Sequence, residues 1–272
     1  MTPSTPDYSR YQCLSVEKAD RVATVTLNRP ASRNQIDHRF HLELQDIWVD
    51  LARDKEVNAV LLTGAGKYFS VGGNIKGMQD RPGGDVFEEG EMLEPSGGRR
   101  IVQNILDCDL PIVCAVNGDC IGLAATIALL CDITVVAEGA RIADPHVKIG
   151  LVAGDGGAVI WPMLVGPNRA KEFLMRGNLI TAVEAERIGL VNYVEPPDRL
   201  QAKARALVQE LADGPPWAIR WTKLSINKAV KEQFNLIMDA SYALEMCTFQ
   251  TDDHREAVRA FVEKRKPRFT GR

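Results

Sequence analysis

The sequence has no apolar run near the roughly 20 residues that span a bilayer. Its opening, MTPSTPDYSR, lacks the basic start and apolar stretch of a secretory signal. A cytoplasmic location is therefore expected, with no membrane partner. Six cysteines are present (Cys13, Cys108, Cys114, Cys120, Cys131, Cys247), but none forms a C-x-x-C pair or stands near a histidine. That spacing indicates neither a zinc site nor a disulfide framework, and no metal is expected. The P-loop ending G-K-[ST] and the G-x-G-x-x-G fingerprint are also missing, which removes the usual nucleotide readings. Apart from EKRKPR near the C-terminus there is no basic block, and the net charge is −3, so nucleic acid is not an expected partner.

What is present suits a large globular domain: 272 residues, 45% of them apolar, enough to bury a core without staples. RVATVTL (21–27) alternates with Ala23, Val25 and Leu27 on one face, and VNAVLLT (57–63) is nearly continuous apolar, as in a strand covered on both faces. Between them, Phe40, Leu44, Ile47 and Leu51 recur at spacings of three and four, predicting a helix facing the sheet. PIVCAVNG (111–118) reads as a buried strand, and CDITVVAEGARIA (131–143) as strand, turn and short strand. Helices between strands give an α/β class with βαβ connections. From about residue 166 the pattern becomes successive helices, interrupted only by a strand in LVNYVE (190–195). PPWAIRWTKLSINKAVKE and FNLIMDASYALEMCTFQT read as two of these helices, and their Trp217, Trp221, Phe234 and Phe249 exceed what a solvated appendage needs. The division expected is a core over 1–200, with 1–10 a flexible tail, and a helical region over 201–272. QDRPGGDVFEEGEMLEPSGG (79–98) is the candidate mobile loop.

Three segments could supply a site. GAGKYFSVGGN (64–74) follows a buried strand and could expose backbone NH groups, or be an ordinary tight loop. VNGDCIGLAATIALLCD (116–132) is a strand end, a turn and an apolar helix starting near Gly122, whose N-terminus suits a developing oxyanion; the plain alternative is a buried helix capped by glycine. ADPHVKIGLVAGDGG (143–157) holds His146 and Asp155. These are either a catalytic pair or a loop histidine and a helix cap.

FSVGGNIKGM, AVNGDCIGLAATIALLCDITVVAEGARIADP and GLVAGDGG followed by AERIGLVNYV resemble the crotonase, or enoyl-CoA hydratase/isomerase, superfamily, from about residue 11 to the C-terminus. The resemblance implies a spiral core of repeated ββα units with C-terminal trimerisation helices, and a homotrimer or hexamer. It also implies a lyase or isomerase of acyl-CoA thioesters that holds an enolate on two backbone NH groups. Laid onto this sequence, those NH groups belong to Gly73 and Leu123, with Leu123 in place of the usual glycine. The substrate pocket is expected to include Phe69, Gly122 and Thr126. Coenzyme A enters as part of the substrate, not as a resident cofactor, with Arg29, Arg33 and Lys76 as its expected contacts. Asn74 replaces the family's common aspartate.

The chain departs from the family where hydratases carry two glutamates: Thr126 and His146 occupy those positions. Threonine cannot exchange a proton as a carboxylate does, so that mechanism is not available as written. Histidine suits a general base, and Asp155 is its expected orienting partner. The β-diketone (oxocamphor) hydrolase branch carries a similar His and Asp, and its GDG run resembles GDGGAVIWP here. A carbon–carbon hydrolase of a β-dicarbonyl compound is therefore the alternative to acyl-CoA chemistry. A non-catalytic or RNA-binding family member is a third, opposed by the acidic charge balance and by the His/Asp pair.

Overall fold

The computed structural model describes residues 6–79 and 97–272. The stretch read as a mobile loop thus lies outside the described residues, apart from Gln79, Gly97 and Gly98. Six strands form the main sheet in the order β1-β2-β3-β4-β6-β9: β1 (Leu14–Ala19), β2 (Val22–Leu27), β3 (Ala59–Gly64), β4 (Ile112–Val116), β6 (Ile133–Ala137) and β9 (Tyr193–Glu195). Only β1 is antiparallel to its neighbour; the remaining pairs are parallel, which requires crossover connections. Helices α1 (His38–Arg53), α2 (Gly97–Asp107) and α3 (Leu123–Leu130) supply the first three. As their spacing predicts, Phe40, Leu44, Ile47 and Leu51 are all buried. A second, three-stranded sheet runs β5-β7-β8, from β5 (Cys120–Ile121), β7 (Arg141–Ala143) and β8 (Ile180–Thr181). Five of the six cysteines are buried as free thiols and Cys247 is exposed.

Helices α4 (Gly157–Val165), α5 (Pro167–Arg176), α6 (Ala182–Arg187), α7 (Leu200–Asp213), α8 (Pro216–Phe249) and α9 (Asp252–Val262) complete the chain. The two helices read from the sequence between residues 215 and 251 are one, α8, because neither glycine nor proline follows Pro216 until its end. α7, assigned to the C-terminal region, packs against β3, β4 and β6 through Leu200, Ala204 and Val208, so the core continues past residue 200. Within the expected tail of residues 1–10, the described part is ordered. Tyr8–Arg10 forms a 3-10 turn, with the Tyr8 hydroxyl donating to Asp54 at 3.0 Å and Arg10 paired with Asp50 at 2.7 Å. No helix among the described residues is long and apolar enough to cross a membrane.

Candidate active site

The site is built where chain leaves the carboxyl ends of β3, β4 and β7. The loops after β3 and β4 are clamped together by Asn117, whose Oδ1 accepts from Gly64 N at 3.0 Å and whose Nδ2 donates to Gly66 O at 2.9 Å. Beyond the clamp they run side by side in parallel: Ser70 bridges Cys120, with Ser70 N donating to Asp119 O and Ile121 N to Ser70 O, each at 3.1 Å. Gly73 and Leu123 each follow that bridge by three residues. Both line a cavity of about 840 Å³, and neither NH donates a hydrogen bond to another described residue. Leu123 opens α3, where the first NH groups have no helical partner, so its NH is left over by geometry. Gly122, at φ +62°, stands between this NH and His146; a Cβ there would lie 3.7 Å from the imidazole Cε1.

His146 begins a 3-10 turn (His146–Ile149) directly after β7, and lies in the cavity wall. Its Nδ1 is hydrogen-bonded to Asp144, which is buried. Nε2 faces Asp155 Oδ2 at 3.4 Å and Glu245 Oε1, on α8, at 3.8 Å. The expected His146–Asp155 contact is present, but the ring is oriented by Asp144, a partner two residues away that sequence reasoning passed over. Glu245 was also missed; it comes from 99 residues beyond His146, and no local pattern marks it. Gly156 stands at the N-cap of α4 and offers no side-chain hydrogen bond, while the backbone NH of Gly157, the first residue of α4, helps to hold down the Asp155 carboxyl.

The glycines of AGDGG make room for this cluster. A Cβ on Gly154 would meet Ser241 O at 2.5 Å and Glu245 Cβ at 2.6 Å, and one on Gly157 would meet Asp144 Oδ2 at 2.1 Å. α8 and Asp144 therefore close on the loop from two sides and bring three carboxylates to one imidazole. Burial opposes charge on His146, yet Asp155, Asp144 and Glu245 outweigh it and hold the ring well above the ordinary histidine value. Burial pushes Asp155 up to about 6, against the pull of His146 and with Asp144 adding to the rise. Glu245 is held well above the ordinary glutamate value by burial and then by Asp155. An imidazolium beside buried carboxyl groups can donate from the ring and accept on a carboxylate. Asp144, His146 and Asp155, all within the stretch 143–157, also present possible metal-ligand atoms within 4.8 Å of one another.

The other expected residues fall elsewhere. Thr126 and Phe69 are fully buried and do not line the cavity; Thr126 sits beneath Gly156, where a Cβ would meet its Cγ2 at 2.8 Å. Arg29 is paired with Asp37, while Arg33 is exposed with its guanidinium 5.6 Å from the Tyr68 ring centre, and Lys76 is exposed. None of the three basic residues lines the cavity; Lys148, Arg176 and Arg265 do. Asn74 Oδ1 accepts from Gly77 N at 3.3 Å, capping the turn that follows Gly73.

Residues 17–272 match the model of the enoyl-CoA hydratase/isomerase family. The chain is similar to a short-chain-enoyl-CoA hydratase of Clostridium acetobutylicum, 33% identical over 92% of this chain and 95% of that protein. It is also similar to a crotonyl-CoA hydratase of Syntrophomonas wolfei, 31% identical over 95% and 98% respectively. Among solved structures, an enoyl-CoA hydratase/isomerase from Mycobacterium paratuberculosis superposes with a TM-score of 0.83 at 33% identity, covering 91% of this chain and 97% of that one. With its parallel sheet, its paired loop ends and its helical C-terminal third, the chain belongs to the enoyl-CoA hydratase/isomerase family.

Proposed function

We propose that this chain is an enzyme acting on an acyl-CoA thioester through an enolate held by the NH groups of Gly73 and Leu123. The observation that carries the reading is the pair of NH groups, of Gly73 and Leu123, that donate to no described residue on the wall of the cavity that also holds His146. The relatives named as crotonyl-CoA and short-chain-enoyl-CoA hydratases support the thioester. Two donors aimed at developing oxyanion charge are worth roughly 3 to 4 kcal/mol each. In this reading Asp155 takes the proton from the carbon next to the thioester carbonyl, the electron pair moves onto the carbonyl oxygen, and the His146 imidazolium returns a proton to the product. Glu245 lowers the cost of the charge on the ring.

A second reading is favoured by the histidine-centred cluster, which can serve water as well as carbon. A carboxylate deprotonates water for attack on one carbonyl of a β-dicarbonyl compound, and the C–C bond breaks. The electron pair leaves as an enolate on Gly73 and Leu123, and His146 protonates its carbon. The two readings separate on one experiment. Calorimetric titration with an acyl-CoA series is paired with NMR detection of α-proton exchange in D2O. Binding and exchange that vanish in His146→Ala are expected. Absence of binding by every acyl-CoA, with turnover of a β-diketone, would replace the first reading by the second.

A further inference from the structure

The chain from Val147 to Gly154 joins His146 to Asp155, and the C-terminal helices hold it through side chains that do not line the cavity. On α8, the Thr248 hydroxyl accepts from Val152 N and the Ser241 hydroxyl donates to Gly154 O, each at 3.3 Å. On α9, His254 Nδ1 meets Ile149 O at 2.7 Å. Ile149 closes the turn that His146 opens, and the NH groups of Gly150 and Leu151 fold back onto the carbonyls of Val147 and His146. A hold on Ile149 is therefore a hold on the backbone of His146. We propose that His254 is a positioning residue: its Nδ1–H fixes the turn that carries His146 against α9 and so sets the approach of the imidazole to Asp155.

His254 stands apart from the other two contacts. The hydroxyls of Ser241 and Thr248 also bond carbonyls of their own helix, Met238 O at 3.1 Å and Glu245 O at 2.7 Å. Ile149 O is the one hydrogen-bond partner of the His254 ring among the described residues. The approach is close: Gly150 sits at φ +72°, and a Cβ there would lie 3.0 Å from both N and Cα of His254. The residue is 1% exposed, with its ring edge-on to Phe249 at 5.0 Å between centres, so water cannot stand in for the donor. A carbonyl only accepts, so Nδ1 carries the proton. Burial holds the ring below the ordinary histidine value, with Ile149 O opposing and Arg255 adding, and the ring is neutral. His254 therefore transfers no proton itself and acts through His146. At 3.4 Å, His146 Nε2 and Asp155 Oδ2 stand just beyond the usual hydrogen-bond range, where a small shift of the turn decides whether they meet. Phe249 and Ala257, on either side of His254 in the chain, line the same cavity, so one residue keeps its C-terminal wall in register with the His146 turn.

The assignment rests on the proposed use of His146 and Asp155 in proton transfer, but its first readout needs no substrate. In 15N-histidine-labelled protein, long-range 1H–15N spectra show which ring nitrogen of each histidine carries the proton. Wild type is expected to show His254 neutral with the proton on Nδ1. In His254→Leu, which fills the space without a donor, the ring signals of His146 are expected to move. In His254→Asn, whose amide nitrogen stands as many bonds from Cα as Nδ1 does, they are expected to stay with wild type. On whatever substrate the wild type turns over, kcat should fall roughly 10- to 100-fold in His254→Leu with KM within about 3-fold, and stay within about 3-fold of wild type in His254→Asn. A proton on Nε2 of wild-type His254 would overturn the proposal, and that spectrum decides even if a variant fails to fold. Unmoved His146 signals in His254→Leu would do the same, as would a rise in KM alone. So would a rate that follows the melting temperature of the two variants rather than the presence of the donor. A failure of the acyl-CoA reading leaves the spectra as they are, so the two failures are distinguishable.

Discussion

Asp144 decides which nitrogen of His146 carries which proton. Its carboxylate can only accept, so Nδ1 must donate and Nε2 is left facing Asp155 and Glu245. In Asp144→Asn an amide can donate to Nδ1 and turn the ring to the wrong tautomer. The expected result is a fall in kcat of roughly 100-fold or more with little change in KM, read by steady-state kinetics. Gly157 tests the same contact from the other side. Alanine in a helix is ordinarily favoured over glycine by up to about 1 kcal/mol. Here its Cβ would lie 2.1 Å from Asp144 Oδ2, and an overpacked site costs about 1–3 kcal/mol. The clash wins, so Gly157→Ala is expected to lower both Tm and kcat. Combining it with Asp144→Ala should recover part of the lost stability, and a purely additive double mutant would refute the contact.

At the scale of elements, periodicity carried most of the fold. β2, α1, β3, β4 and β6 follow from apolar spacing alone, because each buries one face or both against neighbours the pattern implies. β1 was missed: Leu14 is buried, but its last three residues are exposed, so its apolar signal is weak. The division of α8 into two helices came from the polar stretch around Lys231–Gln233, which interrupts the apolar signal without breaking the helix. The site was legible only in part. His146, Asp155, Gly73 and Leu123 lie in recognisable motifs, whereas Glu245 reaches the cluster from α8 and only tertiary packing reveals it. The continuity of α8 has its own consequence, since Glu245 is held by a helix that begins 29 residues earlier. Proline at Gln233 is expected to cost about 3 kcal/mol and reduce activity by displacing Glu245, while Gln233→Ala changes neither the thermal unfolding nor the rate.

At the scale of the whole molecule, stability should depend on pH through His41, which is buried on α1 and held at about 4 by burial and then by His38. An unfolded histidine takes its proton near 6.5, so between about pH 6.5 and 4 the unfolded state binds more protons and stability falls as pH falls. The contribution approaches about 3 kcal/mol. In His41→Gln, urea unfolding across that range should lose this part of the slope, while the opposing shifts of His146, Asp155 and Glu245 are common to both chains and cancel. The outer surface of the same fold makes a different demand. Trp217 and Trp221 remain 61% and 60% exposed, one helical turn apart with ring centres 5.5 Å from each other. Large aromatic side chains at this exposure are the residues that most often anchor an interface, each worth about 2 kcal/mol or more when buried by a partner. We propose that self-association covers them, as the homotrimer or hexamer that the family resemblance implies. The wild-type chain is accordingly expected to elute as a trimer or a multiple of it in light-scattering chromatography. Trp217→Ser combined with Trp221→Ser should weaken self-association by at least about 30-fold, the equivalent of one such anchor, and release smaller species on dilution. A monomeric wild type, or a double variant with unchanged mass at all concentrations, would show that these tryptophans do not hold the assembly together.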